Sequence, residues 1–575
     1  MKIALFFLVL NGLTGQPQPA TRLDSLALTL PDSLVLTRPD SVVRPAPAVQ
    51  LTGELALSTG FYAMRGLEAD RAQTMPWGLS GYLSLTTRSG WTIPVRLIWS
   101  SQNNQYRQPY NQVGFSPRYK KWLVLHGGYR NVTFSPLTLA GHTFLGAGVE
   151  LNPGLLRVGA VAGKFNRAIN ADYADPDRVA TFGRTGYSAK LGIGNQQNYL
   201  DLILLRVADD IHSIQTDSLT RLAPAENLVL GLSGRLQLHK KLFVELDAAG
   251  SAYTRDSRSE PLSAGRLQHL GFLSGLFTPR QSTQFYTALQ TSLSYRTSQA
   301  DLRLQYKRIE PDYKSMGAYY FQTDLESFTV APTLRLFKKR LNVRTSLGWQ
   351  HDNLFNQKKA RTDRLIGSVS ASWSSASDLT LDLLYSNYGI TQRAGYRPLN
   401  DTARLAQNNR TLSGSVFKFW TGETMMHTLS GSASYQELQD LNGFTADLNE
   451  NQNWNYNLSY AWQHLTTNID LNVSYGYTRT KALDLSSVYH GPSVGIGKKF
   501  LKDNKLSFML NVSYLSSQDM ILEFDQKGSI LNTALTTDYQ LTPVHRLSIN
   551  WTNAFNRGAQ SFHEQQGTVQ YSMNF

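Results

Sequence analysis

The end of the chain is the feature that most constrains its fold. In the stretch 567–575, apolar residues take every second position and polar residues take the positions between them. The apolar set is Val569, Tyr571, Met573 and Phe575, and the polar set is Thr568, Gln570, Ser572 and Asn574. Because successive side chains of a β-strand point to opposite faces, this pattern predicts a strand with one apolar and one polar face. An ordinary amphipathic strand is the alternative interpretation of this stretch taken alone.

The same period of two recurs along the chain, for example in 341–350, 468–477 and 505–514. Tight turns and longer polar loops alternate between these segments. No window reaches the roughly 18 apolar residues that a transmembrane helix needs. Only helices and closed barrels satisfy every backbone polar group in lipid. If the chain spans a membrane, it must therefore do so as a β-barrel.

Counting the alternating segments gives the expected architecture. Segment 111–135 must be split at Lys120–Lys121, because one continuous strand there gives an odd total and a topological clash. The fold class predicted is all-β: a transmembrane antiparallel up-and-down β-barrel of about 26 strands, with a range of about 24–28. An even number places both ends of the barrel on the same side of the membrane.

The sequence divides into three parts. Residues 1–15 combine a basic N-terminus, an apolar run and small residues near a possible cleavage site, which is typical of a signal peptide. Residues 16–49 repeat Asp-Ser at positions 24, 32 and 40 and contain several prolines, which predicts an extended periplasmic linker. A peptide that docks on a partner by adding strands is the alternative for this segment. Residues 50–575 are assigned to the barrel.

From the linker onward the chain resembles the large outer-membrane β-barrels of Gram-negative bacteria. The terminal Tyr571-to-Phe575 motif and the signal peptide carry this resemblance. It implies an integral outer-membrane location with both termini periplasmic, and contact with membrane lipid. It also implies that the barrel-assembly machinery reads Tyr571 and Phe575. The chain lacks the plug domain of TonB-dependent transporters and the periplasmic β-domain of the lipopolysaccharide-inserting barrel, and it matches no characterised subfamily.

Composition and motifs limit the chemistry. The chain has no cysteine, so it can have neither a disulfide framework nor a thiolate metal site. Its net charge of +14 predicts polyanionic contacts, and for an exported protein these are expected to be lipid phosphate, acidic polysaccharide or acidic protein rather than nucleic acid. Neither a zinc-protease motif nor a phosphate-binding loop is present. We therefore expect neither an enzyme nor a cofactor or metal.

The alternation places a set of arginines on the lumen face near the short turns. These are Arg96, Arg157, Arg235, Arg303, Arg335 and Arg344. As a ring at the periplasmic mouth they would favour anions or an acidic partner. The alternative is a bracing network of ion pairs with inward carboxylates, namely Asp201, Glu245, Asp247, Asp301, Asp382 and Asp470.

A barrel of this size would leave a wide hole if it were empty. Folded-in loops, a protein partner acting as a plug, or a substrate in transit must therefore fill or gate the lumen. Within the long loop 256–284, apolar residues recur at near-helical spacing, which suggests a gating or docking helix or a cap on the barrel rim. They are Leu267, Leu270, Leu273, Leu276 and Phe277. The glycine-rich stretch 122–167 suggests a wall that bends, either to admit an inner loop or partner or to relieve curvature at a barrel corner.

The leading functional hypothesis is a gated or partner-plugged conduit for solute or polymer across the outer membrane. One alternative is a non-transporting scaffold subunit of an outer-membrane or cell-surface complex. Another is a surface receptor or adhesin that uses its long loops. The sequence names neither the substrate nor the direction of transport.

Overall fold

The computed structural model describes residues 48–66, 72–101, 109–172, 179–215, 222–262, 275–318, 322–395, 404–521, 524–558 and 561–575. The predicted signal peptide and nearly all of the predicted linker lie outside these residues. In the described part, the strands are β1 Val49–Arg65, β2 Trp77–Thr87, β3 Trp91–Ser100, β4 Gln112–Phe115, β5 Arg118–Tyr119, β6 Leu123–Asn131, β7 Thr143–Leu151, β8 Leu156–Asn166, β9 Arg184–Gly194, β10 Tyr199–Asp209, β11 Glu226–His239, β12 Leu242–Thr254, β13 Thr283–Arg296 and β14 Ala300–Ile309.

The remaining strands are β15 Leu325–Leu336, β16 Leu341–His351, β17 Ala360–Ser374, β18 Leu379–Ala394, β19 Ala406–Thr421, β20 Met425–Asp440, β21 Asn451–His464, β22 Ile469–Ala482, β23 Leu485–Phe500, β24 Leu506–Ile521, β25 Phe524–Gln540, β26 His545–Arg557 and β27 Phe562–Asn574. A one-turn helix, Ala446–Asn449, follows β20, and a 3₁₀ turn, Lys502–Asn504, follows β23.

The sheet closes on itself. Apart from β4 and β5, each strand pairs antiparallel with the next along the chain, and β27 returns to pair with β1 from Glu54↔Asn574 to Arg65↔His563. β4 and β5 are two halves of one interrupted strand, since both pair with β3 on one side and β6 on the other. The turn at Lys120–Lys121 separates β5 from β6, as expected. The predicted all-β transmembrane barrel is therefore confirmed, with 26 strands.

The two faces of the wall differ in the exposure of their apolar side chains, as expected if lipid covers the outer face. Large apolar side chains stay exposed on the outward face, for example Leu202 at 58% and Leu383 at 60%. On the inward face of the same β10 strand, Ile203 is fully buried. Apolar surface of this kind is stable only against lipid or another apolar surface. No helix among the described residues has the length and apolar character to cross a bilayer.

A row of five glycines crosses the inward face of the wall at one height. Strand register places each beside the next: Gly114, Gly128, Gly146, Gly163 and Gly186. A Cβ atom on Gly146 would lie 2.0 Å from the carbonyl oxygen of Ala162, and the other four would also approach a neighbouring carbonyl oxygen within 2.6 Å. The row marks where backbones approach too closely for side chains. Glycine in strands accompanies such bends.

Candidate functional site

Two loops at the long-loop end of the barrel, 132–142 and 310–318, contact each other directly. We call them the inner loop pair. The Tyr313 hydroxyl donates to the carbonyl oxygen of Leu137 at 2.7 Å, and Ser315 donates to the carbonyl oxygen of Thr138. The backbone N–H of Ala140 donates to Gly317 at 3.1 Å. These hydrogen bonds join residues that are 176 or 177 positions apart into one layer.

The inner loop pair is hydrogen-bonded to the inward face of β11 and β12. The backbone N–H of Met316 donates to Asn227 Oδ1 at 2.9 Å, and Ser251 Oγ donates to the carbonyl oxygen of Lys314 at 2.6 Å. Ser135 Oγ donates to Asp247 at 2.9 Å. Gly231 leaves space for this contact, because a Cβ there would lie 2.4 Å from Thr138 Cγ2. The loops therefore lie inside the lumen, against the wall.

An apolar core lies between the inner loop pair and the wall. Loop residues Leu137, Leu139, Tyr313 and Met316 pack with wall residues that include Ile203, Leu205, Val207 and Val229. Fully burying a large apolar side chain contributes about 1.5–3 kcal/mol, so the four loop side chains contribute on the order of 6–12 kcal/mol before ordering costs. Burial also raises the pKa of the Tyr313 hydroxyl, which therefore stays protonated and able to donate. We expect the inner loop pair to stay packed against the wall of the lumen.

The wall from β16 to β22 has a different inner surface. It borders a cavity of about 790 Å³. Small uncharged polar side chains dominate the lining, namely Ser370, Ser372, Ser413, Ser415, Ser432, Ser434, Asn455, Asn457 and Thr478. Arg344 and Asp382 add one charge of each sign. This part of the lumen suits water and polar solutes.

The six predicted lumen arginines divide into paired and unpaired residues. Arg157 binds Asp201 through two hydrogen bonds of 2.7 and 2.8 Å. Arg235 and Arg303 lie 3.7 and 3.5 Å from the same Glu245. Arg335 pairs with Asp301. Among the described residues, Arg96 and Arg344 have no carboxylate within 4.0 Å, so four of the six arginines are in ion pairs between strands and two are not.

The Arg157–Asp201 pair is expected to stabilise the wall. Its side chains are only 17% and 2% exposed. Arg157→Leu would leave the Asp201 carboxylate buried without its partner, at a cost of about 3–5 kcal/mol. Urea unfolding of the barrel in lipid vesicles should show this as a lower midpoint. Arg303→Leu is the matched control, since that side chain is 47% exposed and exposed ion pairs contribute about 0–1 kcal/mol. Equal midpoints for the two variants would contradict the expectation.

The predicted gating or docking loop is only partly described. Leu267, Leu270 and Leu273 lie outside the described residues. Phe277 is buried against Leu228 and Ala252, with Leu204 beside them. These three residues lie on the face of β10 to β12 that is opposite to Ile203 and Ser251. The described end of this loop therefore covers the outer surface of the barrel, and Leu276 beside it is half-buried.

The predicted assembly residues lie in the closing strand and just after it. Tyr571 faces outward in β27, where its ring stacks on His545 and its hydroxyl lies 2.6 Å from His545 Nδ1. The backbone N–H of Phe575 donates to Gly53 at 2.9 Å, across the seam with β1. In the folded state, the Tyr571 side chain therefore supports the contact of β27 with β26, and Phe575 supports the closing contact with β1.

The inner loop pair carried a sequence signal that period-two reasoning missed. In β10, Leu200, Leu202 and Leu204 occupy the outward face, while Ile203 and Leu205 occupy the inward face. A strand that is apolar on both faces is typical of a strand covered on both faces. In a barrel, that pattern predicts an apolar layer inside the lumen.

No metal centre is evident in the described part of the chain, where no group of three or more His, Asp or Glu side chains is placed to hold an ion. The described residues supply ion pairs, an apolar inner layer and a polar wall.

Comparison with known proteins gives only distant likenesses. No family model and no curated protein matches the chain. Among solved structures, it is similar to OccAB2 of Acinetobacter baumannii, with 11% identity over 61% of this chain and 92% of that chain and a TM-score of 0.29. It is also similar to OpdK of Pseudomonas aeruginosa, solved with vanillate, with 13% identity over 61% of this chain and 93% of that chain and a TM-score of 0.30. The translocation pore of the P pilus usher PapC is similar with 11% identity over 91% of this chain and 99% of that chain and a TM-score of 0.36. At these values the likeness carries no argument about function.

Proposed function

We propose that the protein is an outer-membrane conduit for polar solutes, partly closed by its own inner loop pair. The observation that carries the proposal is the division of the inner wall. One part is covered by an apolar layer of loops, and the part from β16 to β22 is lined by small polar side chains around a cavity. In a barrel sealed for a purely structural role, we would expect no polar, water-accessible inner surface. In a wide open pore, we would expect no fixed inner layer of loops.

In this proposal the short turns face the periplasm and the long loops face outward, as is usual for outer-membrane barrels. Both barrel ends, at Val49 and Asn574, then lie on the periplasmic side. Tyr571 and Phe575 would be read by the assembly machinery before the barrel closes. No separate plug is required for partial closure, although a partner can still occupy the remaining lumen.

Conductance of the purified protein tests the proposal. Alone in a planar bilayer, the barrel is expected to give discrete conductance steps, because the polar wall from β16 to β22 leaves a path for ions. The control is the same preparation made from cells that lack the gene. A correctly folded barrel that stays silent would contradict the conduit and favour the scaffold alternative.

A further inference from the structure

Three arginines near the seam of the barrel face the same cavity without carboxylate partners. Arg96, Arg118 and Arg130 line a space of about 800 Å³ inside β1 to β6, together with Tyr82 and Gln570. None of the three has a carboxylate within 4.0 Å among the described residues. This distinguishes them from Arg157, Arg235, Arg303 and Arg335, which are all paired. Glu54 lines the same cavity but forms no ion pair with them.

Strand register explains why the three side chains meet. Arg96 of β3 pairs with Gly114 of β4, and Arg118 of β5 pairs with Thr92, four residues along β3 on the same face. Arg130 extends from β6 over Gly114, where a Cβ atom would lie 3.1 Å from Arg130 Cδ. The glycine therefore provides the room that lets Arg130 reach toward Arg96.

The charges of Arg96 and Arg118 both act repulsively on Arg130. In addition, Arg130 Nε is buried and has no hydrogen-bond partner. Bringing three like charges together and leaving a buried donor unsatisfied are both unfavourable, unless an anion occupies the space between them. Guanidinium groups suit carboxylate and phosphate because they present paired N–H donors.

We propose that Arg96, Arg118 and Arg130 form a binding site for multivalent oxyanions, which bear carboxylate or phosphate groups and pass through the lumen. The site rests on the proposed conduit function for its role in transport. It makes the inner wall of β1 to β6, next to the closing contact of β27 with β1, selective for anions. The wall from β16 to β22 is nearly neutral in charge. Tyr82 and Gln570 supply further polar groups at the same cavity.

Calorimetric titration of the full-length protein in detergent, at low ionic strength, tests the site with citrate and inorganic phosphate as probes. The wild-type protein is expected to bind at least one of them. The triple variant Arg96→Gln, Arg118→Gln, Arg130→Gln should bind it about tenfold or more weakly, since several charge-assisted hydrogen bonds are lost. Arg344→Gln is the matched control, an unpaired lumen arginine on another wall, and should bind like the wild type.

Folding is checked by heat-modifiable mobility in gels. The double variant Arg96→Gln, Arg118→Gln keeps Arg130 in place, and an intermediate affinity is expected if the triple variant folds poorly. Absence of binding by the wild type, unchanged affinity in the folded variants, or an equal loss in Arg344→Gln would overturn the site. A silent barrel that binds citrate contradicts the conduit alone, whereas a conducting barrel that binds neither anion contradicts the site alone.

Discussion

Replacing Gly146 with valine is expected to remove most of the folded barrel. A Cβ atom at this position would lie 2.0 Å from the carbonyl oxygen of Ala162 and 2.7 Å from the Cα of Gly163. Both atoms belong to the backbone of β8, which can retreat only by breaking its ladder with β7. Because Gly146 stands in the middle of the inward glycine row, the strain would pass to the strands on both sides. Barrel closure depends on every strand pair.

The amount of folded protein in membrane fractions, read from heat-modifiable mobility in gels, measures this effect. Gly476→Val is the matched control, since Gly476 is also an inward glycine within a strand. Its nearest foreign atom would be 3.9 Å from the added Cβ. We expect the control to fold almost as well as the wild type. Comparable folded levels for Gly146→Val and Gly476→Val would show that the glycine row does not limit the packing of the wall.

Placing a charge beneath the inner loop pair is expected to open the lumen. Leu139 is fully buried between the loops and the wall. In Leu139→Asp, a carboxyl group without a partner would replace buried apolar packing. Burying it as a charge and protonating it there both cost free energy, and both favour detachment of the loop into water. The loop 132–142 would then leave the wall and lose its hydrogen bonds to 310–318. Single-channel conductance should rise several-fold, and cells should become sensitive to large antibiotics.

Leu384→Asp supplies the control for this experiment. Leu384 also faces the lumen, but it is exposed on the wall from β16 to β22 and lines the cavity there. The same charge at that position disturbs no packed layer, so conductance should stay close to the wild-type value. If Leu139→Asp folds and conducts like Leu384→Asp, the inner loop pair does not restrict the path.

The fold was predictable because each strand has its own alternating pattern of apolar and polar residues. A period of two depends only on neighbouring residues, and the demand that lipid-facing backbone be fully hydrogen-bonded leaves a closed barrel as the solution. The split at Lys120–Lys121 came from parity alone and agrees with the structure. The alternation also placed Arg157 and Asp201 on the same face, and the structure joins them across 44 residues of chain.

The contents of the lumen were much harder to predict. The apolar spacing in 264–277 drew attention to a loop whose described end, Phe277, covers the outer surface. In the described part of the chain, loops 132–142 and 310–318 fold inward, and they have no shared motif. Of the arginine site, only Arg96 was singled out in the sequence. Arg118 and Arg130 join it through a broken strand and a glycine that allows close approach.

The sequence by itself determined the closed barrel, a strand number of about 26 within a range of about 24–28, and the faces of most strands, because these follow from local alternation and backbone hydrogen bonding. Only the tertiary structure decided which charges are paired, which loops enter the lumen and where unpaired arginines meet. Those features depend on contacts such as Tyr313 with Leu137, between segments far apart in the chain. Such contacts are set by strand register and by packing across the lumen, and neither has a local signature in the sequence.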